Sequence, residues 1–241
     1  KKHLIILAIV AALMGVVAAF LSGTRASWLA ILPCCIIWFK ISRGSVKAKQ
    51  AALLVFFIGL FALYNFNHAF QTRLTEATLE VNAYFDENKI NTAIGLRGEM
   101  WKGALYIFRD NPLFGSSMGG YKQAMAEKNT QGFINMPTVF DHAHNAYLHY
   151  LATLGFVGFF AYIFLFIGAL YFFVGELKTK TSPEKKFSAI SGVIILSSYM
   201  TFDLAGFSFG HQHTAVFFAI MLIIMAGLTR SYDIEMSYRN Q

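Results

Sequence analysis

The sequence has little charge. Only 14% of its 241 residues are Asp, Glu, Lys or Arg, against 56% hydrophobic, and its mean hydropathy is +0.50. That scarcity excludes an ordinary water-soluble domain of this length. Cysteine is scarcer still: Cys34 and Cys35 are adjacent inside an apolar run, which excludes an unstrained bridge between them and any metal-ligand spacing, and leaves them as buried thiols. No Gly-x-x-x-x-Gly-Lys run offers a phosphate loop, and there is no internal repeat or low-complexity tract. The chain opens on Lys1 and its first apolar stretch carries no small-residue cleavage site, so we expect part of a longer protein.

What is abundant is apolar and aromatic. The 25 Phe and 11 Tyr suit lipid-facing surfaces and interfacial belts. A span needs roughly 17–25 mostly apolar residues. Six stretches read as spans: Leu4–Leu21, Ala26–Phe39, Ala51–Asn65, Ala146–Val174, Phe187–Phe207 and Thr214–Leu228. The second is short and contains Pro33, but Lys40 can snorkel and Trp28 and Trp38 can anchor its ends.

The net charge of +7 records topology rather than a nucleic-acid partner. Lys40, Arg43, Lys47 and Lys49 crowd the second connection without an acid, which makes that loop cytoplasmic. Alternation then puts Lys1 and Lys2, the loop with Lys178, Lys180, Lys185 and Lys186, and the tail with Arg230 and Arg239 on the same inner side. The segment 66–145 falls outside, with seven Lys or Arg against eight Asp or Glu. We therefore expect three transmembrane helices over 1–65, a large outer loop over 66–145, and three more helices with a cytoplasmic tail over 146–241. Within the loop, Arg97–Arg109 reads as helical and Asn111-Pro112 as a turn, followed by a loop around Gly115 and Gly119-Gly120. The predicted fold class is all-α, a polytopic transmembrane bundle with a partly helical outer cap.

Several polar residues then need a reason. Arg25 stands at the outer mouth between the first two spans, as either a functional cation or a snorkelling one. Arg97 comes as a helix begins, where free backbone N–H groups favour anions; a plain surface Arg is the alternative. Asp141-His142-Ala143-His144-Asn145 precedes the fourth span, with His149 beyond it. A His there can act as general base. Asp141, His142, His144, His211 and His213 could also assemble a metal site, but no helical His-x-x-x-His pair supports one, and simple interfacial histidines are the plainer reading. Asp203, the acid within a predicted span, either meets a partner in the bundle or ends a helix in contact with water. Two cations and a neutral-pH base on an outer membrane face suit a lipid-linked anionic substrate, with guanidinium groups neutralising a departing diphosphate.

At these residues the sequence resembles the bacterial O-antigen ligase and polymerase superfamily. The resemblance rests on the ordered set Ser22-Gly23-Thr24-Arg25, Gly95-Leu96-Arg97 followed by Trp101, Asn111-Pro112-Leu113-Phe114-Gly115, and His142-Ala143-His144-Asn145 running into Tyr147-Leu148 and Gly155. It implies a metal-independent, inverting glycosyltransferase of the GT-C type in the bacterial inner membrane, needing no cofactor, with its large loop and site on the periplasmic face. The donor would be an undecaprenyl-diphosphate-linked glycan, and in the ligase branch the acceptor a sugar hydroxyl of the lipid A core. By the same resemblance Arg25 and Arg97 bind diphosphate, His144 is the base, His142 supports it, and Asp203 matches a functional acid. The superfamily generally has about ten to fourteen spans, of which this chain would supply the last six. A polymerase of the superfamily differs in acceptor. A transporter using Asp203 and the outer histidines as an ion path, and a non-catalytic assembly subunit, are the readings from other classes.

Overall fold

The computed structural model describes Val10, Met14, Gly15, Val17, Ala18 and residues 25–41, 45–66, 68–87, 89–178 and 182–239. The helices are α1 (Arg25–Ile41), α2 (Val46–Phe66), α3 (His68–Glu87), α4 (Ala93–Asp110), α5 (Tyr121–Thr130), α6 (Ala146–Lys178), α7 (Pro183–Phe202) and α8 (Gln212–Arg239), with a 3-10 turn at Ser208–Gly210 before α8. Among the described residues there is no strand. The predicted span Leu4–Leu21 lies outside the described residues except for five, all helical. Helices cover the predicted spans Ala26–Phe39 and Ala51–Asn65, whereas Phe187–Phe207 is helical only to Phe202, where Asp203 ends it.

Among the described residues, two helical segments are long and apolar enough to cross a membrane, Ala146–Leu177 and Gln212–Ser231. Local chemistry sets the boundaries of the others. Thr92 caps α4 by accepting the Gly95 N–H at 3.0 Å, and Ser182 caps α7 the same way from Lys185, with Pro183 at the first position. At the end of α5, Gly132 takes φ +77° while its N–H reaches the Asn129 carbonyl and that of Phe133 reaches Lys128, a Schellman closure that only a left-handed residue permits.

The chain divides into two compact units, residues 39–163 and residues 1–38 with 164–241. In the first, α4 packs against α5 and the start of α6 through Met100, Ala104, Ile107, Tyr121, Met125 and Ala152, all buried. Each large side chain here contributes roughly 1.5–3 kcal/mol by leaving water. The two helices approach closely: a Cβ at Gly103 would fall 2.3 Å from the sulfur of Met125. In the second unit, α7 lies along α8, with the Tyr199 hydroxyl donating to the Thr214 carbonyl at 3.0 Å. Lys185, placed by its sequence among the inner-face cations, is buried and paired with Glu176 at 2.6 Å.

Candidate functional site

The site is built on the α4 side of the first unit. The opening turn of α4 is already supplied with acceptors. The Ile94 N–H donates to the Glu80 carboxylate at 3.1 Å, Gly95 to the Thr92 hydroxyl and Leu96 to the Thr92 carbonyl. A carboxylate from α3 thus complements the positive helix end. The sequence suggests open backbone donors beside Arg97; in the structure these N–H groups are taken, so what half-buried Arg97 offers an anion is its guanidinium.

Two residues further on, Glu99 is 5% exposed. Its carboxylate accepts the Asn135 N–H at 2.7 Å and the Tyr84 hydroxyl at 3.1 Å, with the Lys102 ammonium 3.7 Å away. Burial, and then the Glu99 charge, push the Tyr84 phenol up and keep it a donor. One acid therefore ties α3 and the loop after α5 to α4. Beside it opens a cavity of about 370 Å³ lined by Lys89, Ile90, Asn91, Thr92, Asn135 and Pro137.

Trp101 lies four residues after Arg97, on the same helix face. Its indole N–H donates to the Ala143 carbonyl at 3.1 Å. That carbonyl belongs to the peptide between Ala143 and His144, and His144 itself holds φ +49°, a left-handed conformation costly for a residue with a Cβ. The His142 and His144 rings meet at a tilt of 54° with centroids 4.2 Å apart. His142 Nδ1 lies 2.7 Å from Asp141, and this hydrogen bond is the first cause holding the Asp141 carboxyl below its ordinary range. Immediately after His144, buried Asn145 caps α6: its side-chain oxygen accepts the Leu148 N–H at 3.1 Å and its carbonyl the His149 N–H. His144 thus stands at the positive end of a long helix, where negative charge is stabilised. Below it, buried His149 meets the fully buried ring of Tyr121 edge-on at 4.6 Å.

The turn after α4 braces this arrangement from the other side. α6 is broken at Gly155 (φ 61°, ψ −160°), a backbone region essentially restricted to glycine. Into the break fits the turn Asn111–Ser116. Phe156 N–H donates to the Pro112 carbonyl at 2.8 Å, Val157 N–H to Leu113 at 3.2 Å, and Ser116 N–H to the Ala152 carbonyl at 2.9 Å. Added Cβ atoms show how close the approach is: one at Gly155 would lie 2.4 Å from the Leu113 carbonyl, and one at Gly115 (φ 67°) 2.3 Å from the Thr153 backbone.

Of the residues singled out in the sequence, His142 and His144 come together, and Trp101 links them to the helix that carries Arg97. Arg25 opens α1, and its side chain lies outside the described residues. Asp203 belongs to the other unit. It is fully buried at the end of α7 and its Oδ1 accepts the Ser208 N–H at 2.8 Å. The His211 and His213 rings stack at 5.6 Å in that same unit. Among the described residues no group of three or more His, Cys, Asp or Glu is arranged to hold a metal ion. Sequence reasoning passed over Glu80, Glu99 and any role for Trp101; a buried-side helical position for Glu99, next to Met100, was the one signal available.

An all-helical membrane protein with a histidine turn at the head of a broken apolar helix is the class these observations define. The chain belongs to the O-antigen ligase family, whose sequence profile matches residues 9–163 and so includes Arg25, Arg97, His142 and His144 but not Asp203. It is also similar to an uncharacterized protein of Haemophilus influenzae (strain ATCC 51907 / DSM 11121 / KW20 / Rd), 26% identical over 217 residues. That match covers 87% of this chain and 53% of the relative, so the chain spans about half the length of the relative it matches.

Proposed function

We propose that the protein is an O-antigen ligase, moving a glycan from an undecaprenyl-diphosphate carrier to a sugar hydroxyl of the lipid A core, without a metal ion and with inversion at the anomeric carbon. The single observation that carries this reading is the turn at His144: a strained histidine at a helix head, tied through Trp101 to the helix of Arg97, inside the segment that the family profile matches. Strain of this kind persists where function requires it.

In this reading the His144 ring takes the proton of the attacking hydroxyl as its oxygen bonds to the anomeric carbon and the bond from that carbon to the diphosphate oxygen breaks. The departing diphosphate carries away the bonding pair, and the guanidiniums of Arg97 and Arg25 neutralise it. His142, oriented by Asp141, keeps the His144 ring in place, and Asp203 contributes from the last part of the chain. The amides and hydroxyl of Asn91, Asn135 and Thr92 offer hydrogen bonds of the kind sugar hydroxyls take. The reaction takes place on the periplasmic face of a bacterial inner membrane, in a multi-pass protein whose outer loop is residues 66–145.

The test uses His144→Asn, because asparagine tolerates the left-handed backbone while lacking the base. In full-length protein given lipid-linked donor and acceptor, this variant should fold normally and transfer nothing; normal transfer would remove His144 from the mechanism. Cells lacking the protein separate the two branches of the family by gel. Loss of all polysaccharide on lipid A marks a ligase, whereas a single attached repeat unit marks a polymerase and replaces the acceptor proposed here.

A further inference from the structure

The turn that fills the break in α6 has an unusual surface. Turns normally present polar side chains, yet Leu113 is 59% exposed, Phe114 72% and Met118 45%. From Asn111 to Tyr121 there is no charged residue at all. A contiguous exposed apolar patch of this kind marks a membrane or protein contact. The patch is continuous with the membrane-crossing part of α6, because Phe156 and Val157, whose N–H groups are bonded to the Pro112 and Leu113 carbonyls, are themselves exposed, as is Phe160.

Part of the turn's backbone meets the condition that hydrocarbon imposes. Non-helical chain at membrane depth is tolerated only where its polar groups are satisfied within the protein, each unsatisfied one costing several kcal/mol. Here the carbonyls of Asn111, Pro112 and Leu113 accept the N–H groups of Gly115, Phe156 and Val157; Ser116 donates to Ala152; and Pro112 has no N–H to satisfy. The Pro112, Leu113 and Ser116 backbone groups face α6, while Leu113, Phe114 and Met118 remain exposed.

We propose that Leu113–Met118 is inserted in the bilayer, with Leu113, Phe114 and Met118 among the lipid acyl chains. Lipid is the occupant because the patch continues the exposed face of a membrane-crossing helix and carries no charge. The turn is hydrogen-bonded to α6 on both sides of Gly155, so its grip on the bilayer fixes the depth of the helix head. α6 begins at Ala146, nine residues before Gly155 and so about 14 Å along the axis at 1.5 Å per residue, and His144 stands just ahead of that start. The meaning of that depth for catalysis rests on the proposed role of His144; the insertion itself does not.

The experiment places an environment-sensitive fluorophore at F114C, and separately at L113C, in full-length protein with its native cysteines replaced by serine. The protein is reconstituted in phosphatidylethanolamine–phosphatidylglycerol liposomes. At both positions emission should be blue-shifted, quenched by nitroxide-labelled lipid and unaffected by aqueous iodide, while the same fluorophore at E127C, on exposed α5, should behave oppositely. Iodide quenching at 113 and 114 would put the turn in water. Resistance to both quenchers would mean that another polypeptide, either a second copy or a different protein, covers it. Either outcome overturns the proposal, and neither bears on whether His144 is the base, which the transfer assay reads separately.

Discussion

The Trp101 indole donates to the Ala143 carbonyl at 3.1 Å, joining the helix of Arg97 to the left-handed turn of His144 across 42 residues of chain. The bond restrains the peptide plane from which the His144 ring projects. Trp101→Phe keeps the aromatic packing and removes only this donor. A neutral hydrogen bond contributes about 1 kcal/mol, so the turnover of the proposed glycan transfer should fall about fivefold to tenfold. The KM for lipid-linked donor and the melting temperature should stay near those of the parent. Unchanged turnover would show that the turn holds itself.

Gly155→Ala should be among the most damaging single changes outside the histidine turn. The new Cβ meets the Leu113 backbone and sits at a φ that L-residues avoid, so a loss of about 3 kcal/mol is expected. Thermal unfolding of the purified protein in detergent reads it directly, and Gly115→Ala should resemble it. A stable Gly155→Ala protein would mean that α6 can close its break without the turn.

Removing the buried acid gives a different signature. Glu99→Ala leaves the Asn135 N–H and the Tyr84 hydroxyl without their acceptor, at roughly 1–3 kcal/mol for each buried group. Glu99→Gln retains an acceptor oxygen and should cost less. Comparing the two by thermal unfolding separates lost hydrogen bonding from lost charge; equal losses would point to charge.

Acid should loosen the histidine turn. The folded pKa of Asp141 is lowered, so its carboxylate favours the folded turn above the ordinary carboxylate value of about 3.9, and that contribution disappears as pH falls through the lowered one. Hydrogen exchange of the 141–145 amides, corrected for its intrinsic pH dependence, should lose protection in this window. Asp141→Asn should show no such acid step; if it does, another group is responsible.

What the sequence made legible was local. The apolar run from Ala146 declared a long helix, Asn111-Pro112 a turn, and the His-x-His-Asn string a polar head. Long-range bonds were not legible. Gly155 reads as a tolerated glycine in an apolar helix, because the carbonyls that stabilise its break come from about forty residues earlier. The charge pattern of α3 showed neither that it forms a helix nor that Glu80 reaches the head of α4. Arg97 looked like a neighbour of open amides for the same reason: its helix start is recognisable locally, and the carboxylate occupying it is not. Asp203 was recognisable as a buried-segment acid, but the turn whose amide it accepts, at Ser208, gave no sign of itself.

The broken helix also has a bearing on how the chain is made. Synthesis runs from the N-terminus, so Pro112 and Leu113 leave the ribosome before Gly155 does. When the apolar run from Ala146 emerges, the carbonyls that accept the Phe156 and Val157 amides already exist, and the break can be satisfied as the helix forms rather than opened afterwards inside the lipid. A chain with these two segments in reversed order would have to insert α6 first and wait for its partner. The order in which the turn and the helix are encoded is thus suited to biogenesis as well as to the finished fold.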